Sequence, residues 1–258
     1  MSQRLDYSRY ALKSIWRHPL WVSLAAGCGL FLLVVGQFWW VTPIFESEDA
    51  GTHYAVIRWL DVHHELPIIR PPTYPHDLKR EWAELQPYSY EGGQPPLYYL
   101  ASALLIAPIP ADDENQVIEG NPAGGSKISG ANQNAFLHPP FSGFPHGTEL
   151  TARILGLFGI LCGLAAVASA VLLARLYLPN SPGLWLASAI AVIADSAFDY
   201  HIFTISNDNL TVALCSLTVL CLAYWLAKRS ARWSWLAAIM LALALLTKLN
   251  AVGLLACY

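Results

Sequence analysis

Residues 20–41 read LWVSLAAGCGLFLLVVGQFWWV, a stretch without a single charged side chain. A helix that crosses a bilayer needs about 20 predominantly apolar residues. The stretch closes with Phe38, Trp39 and Trp40, and aromatic side chains of this kind favour the membrane–water interface. It starts too deep in the chain, and runs too long, to be typical of a removable signal peptide. It therefore predicts a membrane-spanning helix.

The composition of the whole chain agrees with this prediction. Of its 258 residues, 55% are hydrophobic and only 13% are charged, whereas a typical soluble domain carries roughly 25% charged residues. The net charge of −3 leaves no basic excess to neutralise phosphates, which argues against nucleic acid as a partner. The five cysteines form no CxxC pair, so neither a zinc site nor a disulfide framework is indicated. The composition is typical of a membrane protein.

Further apolar stretches predict the remaining spans. They lie at residues 150–174, 183–200, 208–227 and 233–258. The last of them is either one tilted span or two short ones with a break at 247–248, where Lys248 interrupts the apolar run. With the span at 20–41, the expected fold is an all-α polytopic membrane protein of about five to six transmembrane helices. Residues 1–19 then form the N-terminal tail, and residues 42–149 form one long loop.

Basic residues near the span ends predict the orientation. The relevant side chains are Arg4, Arg9, Lys13, Arg17, Arg175, Lys228, Arg229 and Arg232. Alternating topology places all of them on one side, and an excess of Lys and Arg marks the cytoplasmic side. We therefore expect a multi-pass protein of the plasma (inner) membrane with a cytoplasmic N-terminus and an extracytoplasmic long loop.

The long loop is expected to contain two helices, near residues 49–65 and 97–106. In the first, Tyr54, Ile57 and Leu60 recur at helical spacing. The second is bounded by prolines on both sides. Since it is too short to span a bilayer, we expect it to lie along the membrane surface.

The first helix of the loop begins with an acidic motif, ESEDAGTHY, residues 46–54. One interpretation is an acidic helix start that the helix dipole stabilises. The other is a carboxylate that acts as a general base or a metal ligand at the membrane surface. Asp49 and His53 are four residues apart and share a helical face, so both could address one substrate.

A second cluster, YSYEGGQPPLYY, occupies residues 88–99. Its two glycines let the backbone approach a ligand closely, which makes Glu91 and Gln94 candidate binding residues. Tyr98 and Tyr99 are expected to be ordinary interface aromatics.

Three further positions carry polar groups at or inside apolar stretches. Capping of the helix after Ser206 accounts for one residue of the Asn207–Asp208–Asn209 run, and leaves a ligand-binding role open for the others. Lys248 is either a lysine that snorkels to the interface at a helix break or a functional intramembrane cation that pairs with a lipid-linked phosphate. Arg153 is the other candidate for that role.

As a set, these motifs resemble those of GT-C glycosyltransferases, the polytopic enzymes that include protein O-mannosyltransferases and aminoarabinose transferases. The stretches that carry the resemblance, in order, are ESEDAGTHYAVIRWL (46–60), YEGGQPPLYYLASALL (90–105), NQNAFLH (132–138), ELTARILGLFG (149–159), SNDNL (206–210) and ALLTKLNAVGLL (244–255). Alignment on His53 places Asp49 at the first position of the family's acidic pair and Ala50 at the second. The resemblance covers the N-terminal portion of the family, and Tyr258 lies within an apolar segment.

The resemblance implies a GT-C-like fold, a polyprenyl-phosphate sugar donor and transfer to an acceptor outside the cytoplasm. Asp49, with Glu48 and Glu46 as its substitutes, would be the catalytic carboxylate. Substrate contacts are implied at His53, Glu91, Gln94, Arg153, Asn207, Asp208 and Lys248. No metal ligand set is predicted, and a divalent cation, Mg²⁺ or Mn²⁺, stays open as a cofactor.

Two rival functions stay open beside the transferase. Such an enzyme would need a longer chain or completion by a partner, so the chain could instead be a truncated, non-catalytic subunit that accompanies a larger membrane complex. Its partners would then be membrane lipids and a membrane protein. A transporter is the weaker rival, because the polar residues gather at one face instead of lining a path through the bilayer.

Overall fold

In the computed structural model, the described residues are 18–47, 49–67, 91–117, 120–122, 134–138 and 144–257. These residues are organised as helices, and within them the β-structure is limited to an isolated antiparallel bridge between Gly120 and Phe136. The all-helical prediction is therefore confirmed. The α-helices are α1 (Pro19–Val41), α2 (Ala50–His63), α3 (Leu97–Ile106), α4 (Glu114–Val117), α5 (Gly147–Tyr177), α6 (Pro182–Ile193), α7 (Ser196–Ile202), α8 (Asn207–Lys228) and α9 (Ala231–Leu245).

Three of these helices, α1, α5 and α8, are long and apolar enough to cross a membrane. The helices α3, α6 and α9 are apolar but shorter. The stretch predicted as a span at 183–200 is divided in two, since α6 ends at Ile193 and α7 begins at Ser196. Asp195 lies at this division, where its side chain accepts a hydrogen bond from the Ala197 backbone N–H at 3.1 Å and so caps α7.

The longest helix, α5, is the centre of the bundle and packs against α1, α6 and α8. Its core with α1 includes Phe31 and Val35 against Val167 and Val171, all fully buried. Gly163 permits the close approach of the two helices, since a Cβ there would lie 2.4 Å from the Phe31 ring. Burial of apolar surface between the helices thus depends on small residues along α5.

The two loop helices, α2 and α3, pack on each other and on the first turns of α5. Tyr54 and Ile57 from α2 meet Tyr98 and Ile106 from α3, and all four side chains are almost completely buried. The Tyr54 hydroxyl is 2.7 Å from the Thr151 hydroxyl on α5, and these groups form a hydrogen bond. We call this end of the bundle the α2–α3 end.

The chain breaks after α9 and continues as a 3₁₀ helix, Leu249–Cys257. The break leaves backbone carbonyls without their helical N–H partners, and groups at the α2–α3 end donate hydrogen bonds to these carbonyls instead. Leu97 N–H, at the start of α3, donates to the Leu246 carbonyl at 2.9 Å, and the Asn207 side-chain amide donates to the Thr247 carbonyl at 3.5 Å. These bonds bring the break next to the starts of α3 and α8.

Candidate functional site

Polar side chains from four separate stretches meet at the α2–α3 end. They come from α2, from the 3₁₀ turn Glu91–Gly93 with α3, from the start of α8 and from the break after α9. We call the following set the polar cluster: His53, Glu91, Tyr99, Asp208 and Lys248. Electrostatic interactions link its members, since Lys248 and Asp208 both act on His53 and on Glu91.

The buried part of the polar cluster is a hydrogen-bonded chain of three side chains. His53 Nδ1 is 2.9 Å from the Tyr99 hydroxyl, which is 3.1 Å from Glu91 Oε2. The imidazole and the carboxyl are themselves 3.6 Å apart. The exposed fractions are only 3% for His53, 4% for Glu91 and 1% for Tyr99, so these polar groups depend on one another for hydrogen bonds.

Burial shifts the titration of all three groups toward their neutral forms. It lowers the pKa of His53 to about 4, and the positive charge of Lys248 acts in the same direction. Burial raises the pKa of Glu91 against the hydrogen bond from Tyr99, and the negative charge of Asp49 raises it further. Burial and the neighbouring Glu91 also raise the pKa of Tyr99. At neutral pH the imidazole and the phenol are therefore uncharged.

The more accessible part of the polar cluster is an ion pair. Lys248 Nζ lies 2.8 Å and 2.9 Å from the two carboxylate oxygens of Asp208. The side chain of Asp208 is 54% exposed and that of Lys248 is 20% exposed. Lys248 is therefore a cation at the edge of the cluster whose partner faces outward.

Asp49 is the residue directly before α2. It occupies the N-cap position, but its carboxylate accepts no capping hydrogen bond. Its side chain is exposed, and its charge reaches Glu91. The Asp49 carboxylate thus makes no capping hydrogen bond, and both interpretations of the acidic motif, stabilisation by the helix dipole and a functional carboxylate, stay predictions.

Glu46, the first acidic residue of the motif, forms hydrogen bonds that hold another part of the loop in place. Its carboxylate accepts hydrogen bonds from the backbone N–H groups of Ala135 at 2.8 Å and Phe136 at 3.2 Å, and from His138 Nε2 at 2.5 Å. We call this set of bonds the Glu46 clasp. It fastens residues 134–138 beside the start of α2. The predicted Glu48 lies outside the described residues.

The other predicted binding residues lie around the cluster or away from it. The Gln94 side chain is half-buried, next to the turn that holds Glu91. Asn207 is fully buried and bonds across to the break after α9. Arg153 is turned toward α1 instead, where its guanidinium donates to the carbonyls of Trp39 and Thr42 and lies 5.6 Å from the centre of the Trp39 ring. Of the two residues predicted to bind a lipid-linked phosphate, Lys248 therefore lies in the polar cluster, whereas Arg153 binds the end of α1.

Tyr99 is the site residue that the sequence analysis missed. The expectation of an interface aromatic was wrong for both tyrosines, because Tyr98 and Tyr99 are buried between α2 and α3. The 3₁₀ turn Glu91–Gly93 precedes α3, and the Tyr99 hydroxyl lies 3.1 Å from the carboxyl of Glu91, a residue eight positions earlier in the chain. A pattern of local spacing does not reveal such a contact.

No group of three or more His, Cys, Asp or Glu side chains in the described part of the chain could hold a metal ion. No protein-family model, curated protein or solved structure matches the chain. The geometry of the polar cluster is therefore the basis for assigning a function.

Proposed function

We propose that the chain carries the active site of a GT-C-like membrane glycosyltransferase, which moves a sugar from a polyprenyl phosphate to an acceptor on the extracytoplasmic side. The observation that carries this proposal is that the charges of Asp49 and Lys248 both act on Glu91, at one end of an apolar helical bundle. These residues are far apart in the sequence. A carboxylate and a cation at the same end of a bundle of apolar helices suit a reaction between a lipid-linked phosphate and a polar acceptor.

In this proposal Asp49 is the general base. Its carboxylate is exposed and uncapped, so an acceptor hydroxyl or amine can approach it. The acceptor atom forms a bond to the anomeric carbon while Asp49 takes its proton. The bond from that carbon to the donor phosphate breaks, and its electron pair stays on the phosphate oxygen. A positioned base typically contributes 10²–10⁴-fold to such a step.

In this proposal Lys248 stabilises the negative charge that develops on the leaving phosphate. A preorganised cation next to developing negative charge is among the strongest contributions to catalysis. The pair with Asp208 does not prevent this role, because ion pairs with a solvent-exposed partner are worth only about 0–1 kcal/mol. A donor phosphate can therefore compete with the half-exposed Asp208 carboxylate.

The membrane arrangement belongs to the same proposal. The spans α1, α5 and α8 would be joined by α6 with α7 and by α9 with the 3₁₀ helix, giving the five to six crossings expected. The long loop with α2 and α3 would face the extracytoplasmic side of the plasma (inner) membrane. A polyprenyl chain in the bilayer would then present its phosphate at the level of Lys248.

A divalent cation fits this site only with the help of the donor. Asp49 offers one accessible carboxylate, whereas Glu91 is buried and bonded to Tyr99. Mg²⁺ often binds through one or two carboxylates together with substrate phosphates. Mg²⁺ or Mn²⁺ would thus be held by Asp49 together with the donor phosphate, where it would add positive charge next to Lys248.

A transfer assay tests the proposal. The full chain in membranes receives a radiolabelled polyprenyl-phosphate sugar, and transfer of label to membrane or soluble acceptors is measured. Asp49→Asn should reduce transfer by at least about 100-fold, as expected for loss of a general base. Asp112→Asn, which changes an exposed aspartate of the same loop, is the matched control and should leave transfer unchanged. Equal rates for wild type and Asp49→Asn would refute the catalytic role of Asp49.

A further inference from the structure

The number of available protons limits the directions that the hydrogen bonds from His53 through Tyr99 to Glu91 can take. The Tyr99 hydroxyl carries a single proton and lies within hydrogen-bond distance of both neighbours, at 2.9 Å and 3.1 Å. It can donate to one neighbour while it accepts from the other. The direction of both hydrogen bonds is therefore set together.

Two arrangements satisfy every group. In the first, Glu91 is ionised, Tyr99 donates to it, and the imidazole of His53 donates its Nδ1–H to Tyr99. In the second, Glu91 is protonated and donates to Tyr99, which donates to Nδ1 of His53, so that the imidazole proton resides on Nε2. The two arrangements differ by one proton in total and by the tautomer of His53.

We infer that the three hydrogen-bonded side chains of His53, Tyr99 and Glu91 form a proton-binding site. A proton taken up at Nε2 of His53 is held on Glu91 after two transfers through the Tyr99 hydroxyl. The transfers balance. As Nε2 gains a proton, Nδ1 gives its proton to Tyr99, and Tyr99 gives its own proton to Glu91. No oxidant or other reactant is needed, and the heavy atoms keep their places.

Burial explains why the proton is held on Glu91. With the proton on the imidazole, a cation and an anion would face each other inside the protein, and buried charges are costly. With the proton on Glu91, all three groups are neutral. The raised pKa of Glu91 and the lowered pKa of His53, at about 4, agree with this order.

Neighbouring charged groups change how strongly Glu91 holds its proton, but they are not themselves part of the proton-binding site. Asp49, at the start of α2, favours the proton on Glu91. Lys248, after α9, opposes it, and Asp208, on α8, favours it again. Tyr98 packs against both rings from α3, and its hydroxyl takes no part in the chain. The inference concerns proton binding alone and does not depend on the transferase proposal.

Infrared difference spectroscopy and nitrogen-15 NMR of the purified full chain in micelles test the inference together. Raising the pH from acid should remove the carbonyl stretch of one protonated carboxylic acid, with a midpoint above the ordinary glutamate value of about 4.3. At the same midpoint the imidazole of His53, assigned with His53→Gln, should change from the Nε2–H to the Nδ1–H tautomer. Glu91→Gln should abolish the infrared band and make the tautomer independent of pH.

A pair of tyrosine variants distinguishes the effect of the linking Tyr99 hydroxyl from the general effect of removing a buried hydroxyl. Tyr99→Phe removes the linking hydroxyl, so the carboxyl and the imidazole should no longer change at a common midpoint. Tyr98→Phe removes the neighbouring buried hydroxyl and should keep the common midpoint. The inference is overturned if the wild-type band is absent, if the His53 tautomer stays constant across the Glu91 midpoint, or if Tyr99→Phe preserves the coupling. The wild-type comparison decides the matter even if a variant fails to fold.

Discussion

At the scale of the residue, Glu46 shows how one carboxylate of the acidic motif acquires a structural role while its neighbour Asp49 stays accessible. Burial by itself would raise the pKa of Glu46, but the hydrogen bonds of the Glu46 clasp outweigh burial and lower it. A carboxyl with a lowered pKa stabilises the folded arrangement at pH values above its ordinary pKa. That contribution disappears as the pH falls through the lowered value. The clasp should therefore hold at neutral pH and open in acid.

Glu46→Gln should open the clasp at neutral pH. Hydrogen bonds to charged groups contribute about 1.5–3 kcal/mol, so the amides of Ala135 and Phe136 should exchange with deuterium roughly 10- to 100-fold faster. Wild-type protein should approach the same exchange behaviour in acid, after correction for the intrinsic exchange rate. Glu65→Gln, at an exposed glutamate of the same loop, is the control. Unchanged protection in Glu46→Gln would contradict the role of the clasp.

At the scale of the element, α5 depends on glycine where other helices cross it. A Cβ at Gly159 would lie 2.2 Å from the Ile202 carbonyl oxygen and 2.6 Å from Nδ2 of Asn209. Asn209 already donates to the Thr204 carbonyl at 2.7 Å, so its side chain cannot withdraw without losing that bond. Gly159 thus allows the turn between α7 and α8 to pack closely against α5.

Gly159→Ala should lower the stability of the protein, whereas Gly29→Ala should leave it unchanged or raise it. At Gly159 the forced displacement should cost about 1–3 kcal/mol, more than the helix-propensity gain of roughly 0.8–1 kcal/mol. Gly29, on α1, has nothing within 4 Å of an added Cβ, so only the propensity gain applies there. Thermal unfolding in detergent micelles should show a lower Tm for the first variant and an equal or higher Tm for the second. A raised Tm in Gly159→Ala would contradict the close approach.

At the scale of the whole molecule, local patterns predict the helices better than their meeting points. The helical character of residues 20–41 and 97–106 follows from apolar runs bounded by prolines and aromatics, and the structure has helices at Pro19–Val41 and Leu97–Ile106. The approach of Lys248 to Glu91 depends on carbonyls that a helix break leaves free and on donors far away in the chain. Contacts of that kind carry no local signal. Tyr99 was missed for the same reason, since its two partners lie on different elements.

The orientation of the bundle is the whole-molecule property that decides which side the polar cluster serves. The basic residues at the span ends predict that Asp112, in the loop with α2 and α3, lies outside the cell, and that Asn180, between α5 and α6, lies in the cytoplasm. Both side chains are exposed, so Asp112→Cys and Asn180→Cys are accessible reporters. Of the five native cysteines, Cys28 lies within α1, Cys162 within α5, and Cys215 and Cys221 within α8. The unmodified chain measures the labelling of all five.

A membrane-impermeant maleimide should label Asp112→Cys in intact cells and Asn180→Cys only after the cells are permeabilised. The reason is that α5 separates the two positions, and this helix of 31 residues is long and apolar enough to cross the bilayer once. The reverse pattern would place the polar cluster in the cytoplasm, where the proposed acceptor outside the cell could not reach Asp49. Labelling of both positions from the same side would show that α5 does not cross the membrane. In either case transfer to an extracytoplasmic acceptor would have to be abandoned, because the base and the acceptor would be separated by the bilayer or the bundle would lack its central span.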